Sequence, residues 1–419
     1  MTATAREAAS LGVATVESIR RHFPALERQH GRERVAYFDG PGGTQVPREV
    51  VNAMAEYLYH HNANTHWNYP TSAETDAAIE QARVACADFF GSRPNEVSFG
   101  QNMTSLAYHV SRALAPRFGP GDTIVVTELD HHGNIAPWTR LQSERGVTVR
   151  WVRMRTENGT LDWNDLERAI TPDTKLVAIG AASNALGTKT DVSAVCALAR
   201  AVGALSFVDA VHLAPHSLVD VNAFGCDFLA CSAYKFYGPH IGILFTREAL
   251  GAELDAPRLD PAPAAMPERL ETGTQNHEGI VGAGAAIDFL ASLGSGATRR
   301  QRLASAYAEL HKRGENLFRG LWDGLEGLSG VRRYGLPPGG TRTPTLSFSV
   351  AGMHSDDVAR RLAAEGIFVS NGDFYASTVI ERLGHSDDGV VRAGAAIYTT
   401  DDEIQRLVSG VRRLLSTST

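Results

Sequence analysis

The period of apolar positions changes along this chain, and the changes outline an architecture. Over residues 72–90 (SAETDAAIEQARVACADFF), Ile79, Ala82, Cys86 and Phe89 recur at helical spacing with acidic residues early, which predicts an amphipathic helix. From about residue 122, short runs rich in β-branched residues alternate with helical stretches: DTIVVTEL, VTVRWVRM, TKLVAIGAAS, ALSFVDAVH, DFLACSA and GILFT. Near-continuous apolar strands separated by helices predict an α/β fold whose mainly parallel sheet is covered on both faces.

The pattern breaks over residues 251–278, a Pro/Ala-rich passage that reads as a long connection. Beyond it come a long helix (298–326), the strands TLSFSV, GIFVS and VVRAGAAIY, and an amphipathic terminal helix from about 401, so a smaller α+β unit is expected there. The division expected is an N-terminal arm (1–50) bordering the active site and joining the small domain, a large domain (51–285) and a small C-terminal domain (286–419). A length of 419 residues suits two domains.

Composition narrows the class. Hydrophobic residues make up 43% and charged residues 21%, near globular averages. A net charge of -7 leaves no broad basic surface for nucleic acid or anionic membrane. Cys86, Cys196, Cys226 and Cys231 show no paired spacing, and the N-terminal segment has no apolar leader core, so a cytoplasmic protein is expected.

The most informative stretch is residues 208–245. Asp209 ends one predicted strand and Ser232–Lys235 follow another, the positions where open α/β sheets bind ligands. Lys235 is flanked by Tyr234, Phe236 and Tyr237, surroundings that lower an amine's pKa and make it a Schiff-base former, whereas the plain alternative is a snorkelling surface lysine. Pyridoxal phosphate is an electron sink only while its pyridine nitrogen stays protonated, and Asp209 is the candidate carboxylate; taken alone it reads equally well as a loop cap. GQNMTS (100–105), at the start of a helical stretch, and Ser232 offer the N–H and hydroxyl groups a phosphate needs, although such a helix start is often only a cap.

With FDGPGGTQVP, NANTH, DHHGNIAPW, SAYKFYGPH and ETGTQNHEG in this order, the chain resembles the class V aminotransferase and cysteine desulfurase group of fold type I pyridoxal-phosphate enzymes, from about Ala36 to Leu415. The resemblance implies a seven-stranded large-domain sheet. It implies that His131 stacks on the pyridine ring, that Asn184 and His212 reach the phenolic oxygen, and that Asn102, Met103, Thr104, Ser232 and Tyr234 surround the phosphate. Thr274 would reach the phosphate of a neighbouring subunit, implying a homodimer with shared sites. Arg392 would bind the substrate carboxylate, with Asn184 and His66 also bordering the substrate. Trp67, and Phe374 with Tyr375, are loop aromatics that could line the substrate pocket, although such aromatics are often merely packed.

Departures matter as much. Tyr234 stands where a histidine often precedes the lysine, and Met103 replaces a threonine. True desulfurases carry a nucleophilic cysteine in the loop after GIFVS; here it reads SNGDFYAST, with no cysteine beyond Cys231. The expectation is therefore a β-eliminating C–S lyase working without a persulfide, with an aminotransferase or epimerase as alternatives. A metal-dependent hydrolase built on His131, His132, Asp209, His212 and His216 is the reading from another class. HLAPH contains Pro215 and follows a strand, so its two histidines do not share a helix face, and no metal is expected.

Overall fold

The computed structural model describes residues 14–416. The first thirteen residues, including most of the segment read as lacking a leader, and the last three of STST lie outside the described residues. The helix expected at 72–90 is α1 (Pro70–Phe90), which Gly91 ends with a left-handed φ of 72°. The β-rich runs become β2 (Thr123–Thr127), β3 (Thr148–Val152), β4 (Thr174–Gly180), β5 (Leu205–Asp209), β6 (Phe228–Ser232) and β7 (Gly242–Thr246). They join β1 (Val97–Gly100), which the sequence reading did not mark, in a seven-stranded sheet ordered β1-β7-β6-β5-β4-β2-β3. β7 runs antiparallel to both neighbours and the others share one direction.

Alternation within each strand feeds two cores. Along β4, Val177 and Ile179 face one side, with Phe89, Phe90 and Ile287. Leu176 and Ala178 face the other, with Leu106, Val110 and Trp138. The helices supplying these residues are α1 and α3 (His277–Ser292) on the first face, and α2 (Met103–Leu114) with Ala136–Arg145 on the second. Each such fully buried side chain contributes about 1.5–3 kcal/mol, so both faces are firmly held.

A second sheet contains β8 (Val331–Tyr334), β9 (Thr345–Val350), β10 (Ser370–Gly372) and β11 (Val390–Gly394), antiparallel in the order β8-β9-β11-β10. It packs on α4 (Arg299–Leu325) and the terminal helix through Leu317, Phe318, Leu321, Leu407 and Val411. Ala36–Tyr37 pairs in parallel with Ile367–Phe368, and Gly394 N–H donates to the Phe38 carbonyl at 2.8 Å. The stretch before residue 50 is thus tied to this sheet.

Three expected strands are shorter than their apolar runs. GIFVS splits because Ile367–Phe368 pairs with residues 36–37 while Ser370–Gly372 joins β11. VTVRWVRM breaks at Arg153, whose N–H donates to Asp165 Oδ2 rather than to a strand, and Met154–Arg155 pairs separately with Thr160–Leu161. VVRAGAAIY leaves the sheet after Gly394, and Ala395–Tyr398 form a buried connection.

The start of α2 is set by a close backbone approach at Gly242. A Cβ there would lie 2.6 Å from the Asn102 carbonyl carbon and 2.7 Å from Leu106. Gly242→Ala is therefore expected to destabilise the protein by about 1–3 kcal/mol and to lower cofactor retention, read by thermal unfolding and by cofactor content after gel filtration.

Candidate active site

A cavity of about 340 Å³ opens where the chain leaves the carboxyl ends of the parallel strands, a size suited to a small ligand. It is lined by Asn102, Met103 and Thr104 after β1, Asp130 and His131 after β2, and Gly180 and Asn184 at and after β4. Asp209 and His212 at and after β5, and Ser232, Tyr234 and Lys235 at and after β6, complete the ring. Ten of the sequence-predicted residues thus meet in one place.

Each is positioned by local geometry. Asn102 caps α2, its Oδ1 accepting from Ser105 N at 2.9 Å, while Met103 N donates to Ser232 Oγ at 2.9 Å. That leaves the Thr104 N–H without a partner among the described residues, at the positive end of a twelve-residue helix. Val211 N donates to Asp209 Oδ1 and holds the carboxylate at the strand end. Gly133 N donates to His131 Nδ1 at 2.8 Å, which puts the ring proton on Nε2. His212 Nε2 meets the hydroxyls of Thr343 and Thr345, each at 3.1 Å, and its buried Nδ1 has no partner.

Burial governs the charges. It pushes the Lys235 amine down to about 7, helped by Arg392 and opposed by Asp209. It pushes the Asp209 carboxyl up to about 6, against the Val211 N–H and Lys235. His131 is held down to about 4 by burial and by the charges of Lys235, His132 and Arg392, so its ring is neutral near pH 7. Asp130 is pushed up to about 7 by burial, against donors including Gly180 N at 2.9 Å. Of these two neighbouring carboxyls, Asp209 is the readier to carry charge.

Arg392, in the middle of β11, is buried and reaches across from the second sheet. Its Nη1 donates to the Asn184 carbonyl at 2.9 Å, and its guanidinium lies 4.0 Å from the Phe374 ring centroid. Nε has no partner, and Nη2 passes beside Gly42, where a Cβ would come within 3.5 Å. The Nε–Nη2 edge is therefore the one left able to receive a carboxylate. Asp39, unpartnered at Oδ1, moderates the charge: burial raises its carboxyl pKa and Arg392 lowers it.

Four predicted residues lie elsewhere. His66 and Thr274 line a different cavity, in which Arg83 pairs with Glu271 at 2.8 Å and His66 Nε2 faces Glu268. Trp67 is exposed. Tyr375 borders the Lys235 cavity without lining it, its ring 5.7 Å from His131. His216 stands edge-on behind His212, and among the described residues no group of three or more His, Cys, Asp or Glu is placed to hold a metal ion.

The sequence reading overlooked Asp130, His240 and Pro41. Asp130 follows a strand end as Asp209 ends one, a signal that was available. His240 stacks on Tyr234 with centroids 4.9 Å apart, and the Pro41 carbonyl accepts from Lys235 Nζ. No local pattern marks either contact.

The family model described as aminotransferase class-V matches residues 36–407. The chain belongs to the class-V aminotransferase family. It is 33% identical to a probable cysteine desulfurase of Streptomyces coelicolor, over 96% of this chain and 98% of that protein. It is 32% identical to a cysteine desulfurase of Pectobacterium carotovorum, over 95% and 98%. Among solved structures, the apo cysteine desulfurase of Thermococcus onnurineus NA1 superposes with a TM-score of 0.88 at 30% identity, covering 98% of this chain and all of that one. Class-V enzymes of this kind depend on pyridoxal phosphate, and this chain is a cysteine-desulfurase-like enzyme of that class with the fold type I architecture.

The cavity fits that cofactor. A helix start with a free N–H and two hydroxyls, a buried carboxylate and a buried amine match its phosphate, ring nitrogen and aldehyde. The amine's reactivity is directly measurable. In the apoprotein, modification of Lys235 by an amine-directed reagent, followed by peptide mass spectrometry, is expected to rise with pH and level off above about 7. Exposed lysines should keep rising toward about 10.4. Arg392→Gln removes one lowering influence, so its midpoint should move upward.

Proposed function

We propose that this class-V enzyme is a C–S lyase acting on cysteine or an S-substituted cysteine by β-elimination, with no protein thiol taking up the sulfur. The observation that carries the reading is chemical. The turn after β10, where desulfurases present a cysteine, holds Asp373, Phe374 and Tyr375, and all four cysteines are buried away from the cavity lining. Burial raises the pKa of each thiol, the opposite of what a nucleophile needs.

Bound pyridoxal phosphate would supply an electron sink for the substrate's α-carbon. Lys235 would anchor it, Asp209 would keep its ring nitrogen protonated, and Thr104, Ser232 and the start of α2 would hold the phosphate, with Tyr234 nearby. His131, a neutral imidazole near pH 7, would cover the ring, and Asn184 and His212 would serve its phenolic oxygen. The free edge of Arg392 fixes the substrate carboxylate, orienting the Cα–H bond toward Lys235 Nζ. An amine near neutrality at pH 7 is suited to accept that proton. Cleavage of Cα–H and Cβ–S, with water added, yields a thiol, pyruvate and ammonium.

Thr274 and His66 support a homodimer, since they stand apart from the Lys235 cavity and would act on the site of a second copy. Leu58, Tyr59, Trp67 and Tyr69, in the stretch of chain around His66, expose apolar side chains. The buried, unpaired cysteines suit a reducing, cytoplasmic setting.

The holoenzyme is expected to show a visible cofactor band that shifts on adding S-substituted cysteines and is absent in Lys235→Ala, with stoichiometric pyruvate and thiol released. A keto acid without thiol, with the cofactor left in its amine form, would assign an aminotransferase instead. Light scattering should give the mass of two chains.

A further inference from the structure

We propose that the turn Asp373–Tyr375 selects the substrate, and that it fits cysteines whose sulfur carries an apolar, preferably aromatic, substituent over free cysteine. This rests on the C–S lyase reading. The backbone supplies the first argument. Phe374 and Tyr375 are consecutive non-glycine residues in the left-handed region, with φ of 58° and 55°. Bulky side chains rarely adopt this conformation, and it persists only where surroundings over-determine it.

Here they do. Tyr375 N donates to Asp373 Oδ1 at 3.0 Å, Asn184 Nδ2 to the Phe374 carbonyl at 2.9 Å, and His132 N to the Tyr375 carbonyl at 2.7 Å. His132 Nε2 also meets Ser377 Oγ at 2.9 Å. Ala376, Val379 and Ile380 anchor the C-terminal side of the turn against Leu129, Ala185 and Leu186 of the large sheet's loops. The turn is thus fastened to the two loops that carry His131 and Asn184.

The strained conformation places two rings. Phe374 lies against the guanidinium of Arg392, fixing the plane in which a carboxylate is received. Tyr375 lies beside His131 and is 74% exposed, leaving most of an aromatic ring in solvent at the cavity edge. The stacked Tyr234–His240 pair also lines the cavity. With the carboxylate on Arg392, a substituent beyond the β-sulfur leaves toward these rings and buries the Tyr375 face. A bare thiol leaves it in water. Asp373, at the root of the turn, disfavours an anionic substituent.

The test compares S-benzyl-L-cysteine, S-methyl-L-cysteine and L-cysteine on the holoenzyme, reading pyruvate release and, separately, dissociation constants from titration of the cofactor band. S-benzyl-L-cysteine is expected to exceed S-methyl-L-cysteine by about tenfold or more in kcat/KM and in affinity. Tyr375→Ala should bring that ratio close to one, through KM, and Tyr375→Phe should preserve it. Phe374→Leu should instead raise KM for every substrate by a similar factor. Cleavage of all three without preference, or a preference untouched by Tyr375→Ala, overturns the proposal and leaves the lyase reading standing. If no pyruvate forms from any, the lyase reading fails, and the titrations still decide the turn's role: equal affinities overturn it, and a Tyr375-dependent preference upholds it.

Discussion

A lysine amine and a carboxylate in one cavity, with a buried guanidinium close enough to feel the amine's charge, are kept from solvent together, and the rest of the structure is arranged to keep them there. Desolvation makes each reluctant to hold its charge: the amine falls to about 7, the guanidinium to about 9, and the carboxyl rises to about 6. Lys235 comes from the end of β6, Asp209 from the end of β5, and Arg392 from β11 in the other sheet. None could be brought together by local sequence. Lys235 and Asp209 attract each other, but Arg392 repels Lys235 and burial penalises all three charges, so anionic ligand groups set against the two cations would offset part of that cost.

The second sheet matters because it fixes Arg392. Antiparallel pairing places Arg392 opposite Ser347 on one side and Ser370 on the other, and the N-terminal stretch runs over this strand. The glycines of DGPGGT serve that crossing, without making a phosphate loop. Gly42 leaves room beside Nη2, Gly43 lies where a Cβ would meet the Tyr234 ring at 3.3 Å, and the Pro41 carbonyl takes a hydrogen bond from Lys235. One short backbone segment thus touches the carboxylate-binding group, the aromatic wall and the amine together.

How much the sequence revealed depends on how local each signal is. Strands buried on both faces read as apolar runs, so six of the seven large-sheet strands were visible, as were the helix that became α1 and the strand ends carrying Asp209 and Lys235. β1, only four residues long, was missed, and the antiparallel course of β7 cannot be read from its composition. Splits in GIFVS and VTVRWVRM were hidden because it is the partner of each half, fixed by the fold, that divides them. In the site, Asp130 obeyed the rule that marked Asp209 and was passed over. His240 and Pro41 matter through contacts made across the fold, which no spacing encodes.

On the lyase reading, the absence of a cysteine beyond Cys231 and the presence of the aromatic turn belong together. A sulfur nucleophile must travel between the substrate's β-substituent and an acceptor, so the segment carrying it has to move. Here the corresponding segment is held by hydrogen bonds from Asn184 and His132, by the small apolar cluster under Ala376 and Val379, and by a backbone conformation that relaxes if those contacts loosen. Such a turn cannot shuttle sulfur. It can present rigid surface, and rigid aromatic surface loses little entropy when a substrate packs on it. Under the proposed function, selection would stem from the shape and polarity of a fixed wall, where a mobile thiol loop would select by reacting with the sulfur itself.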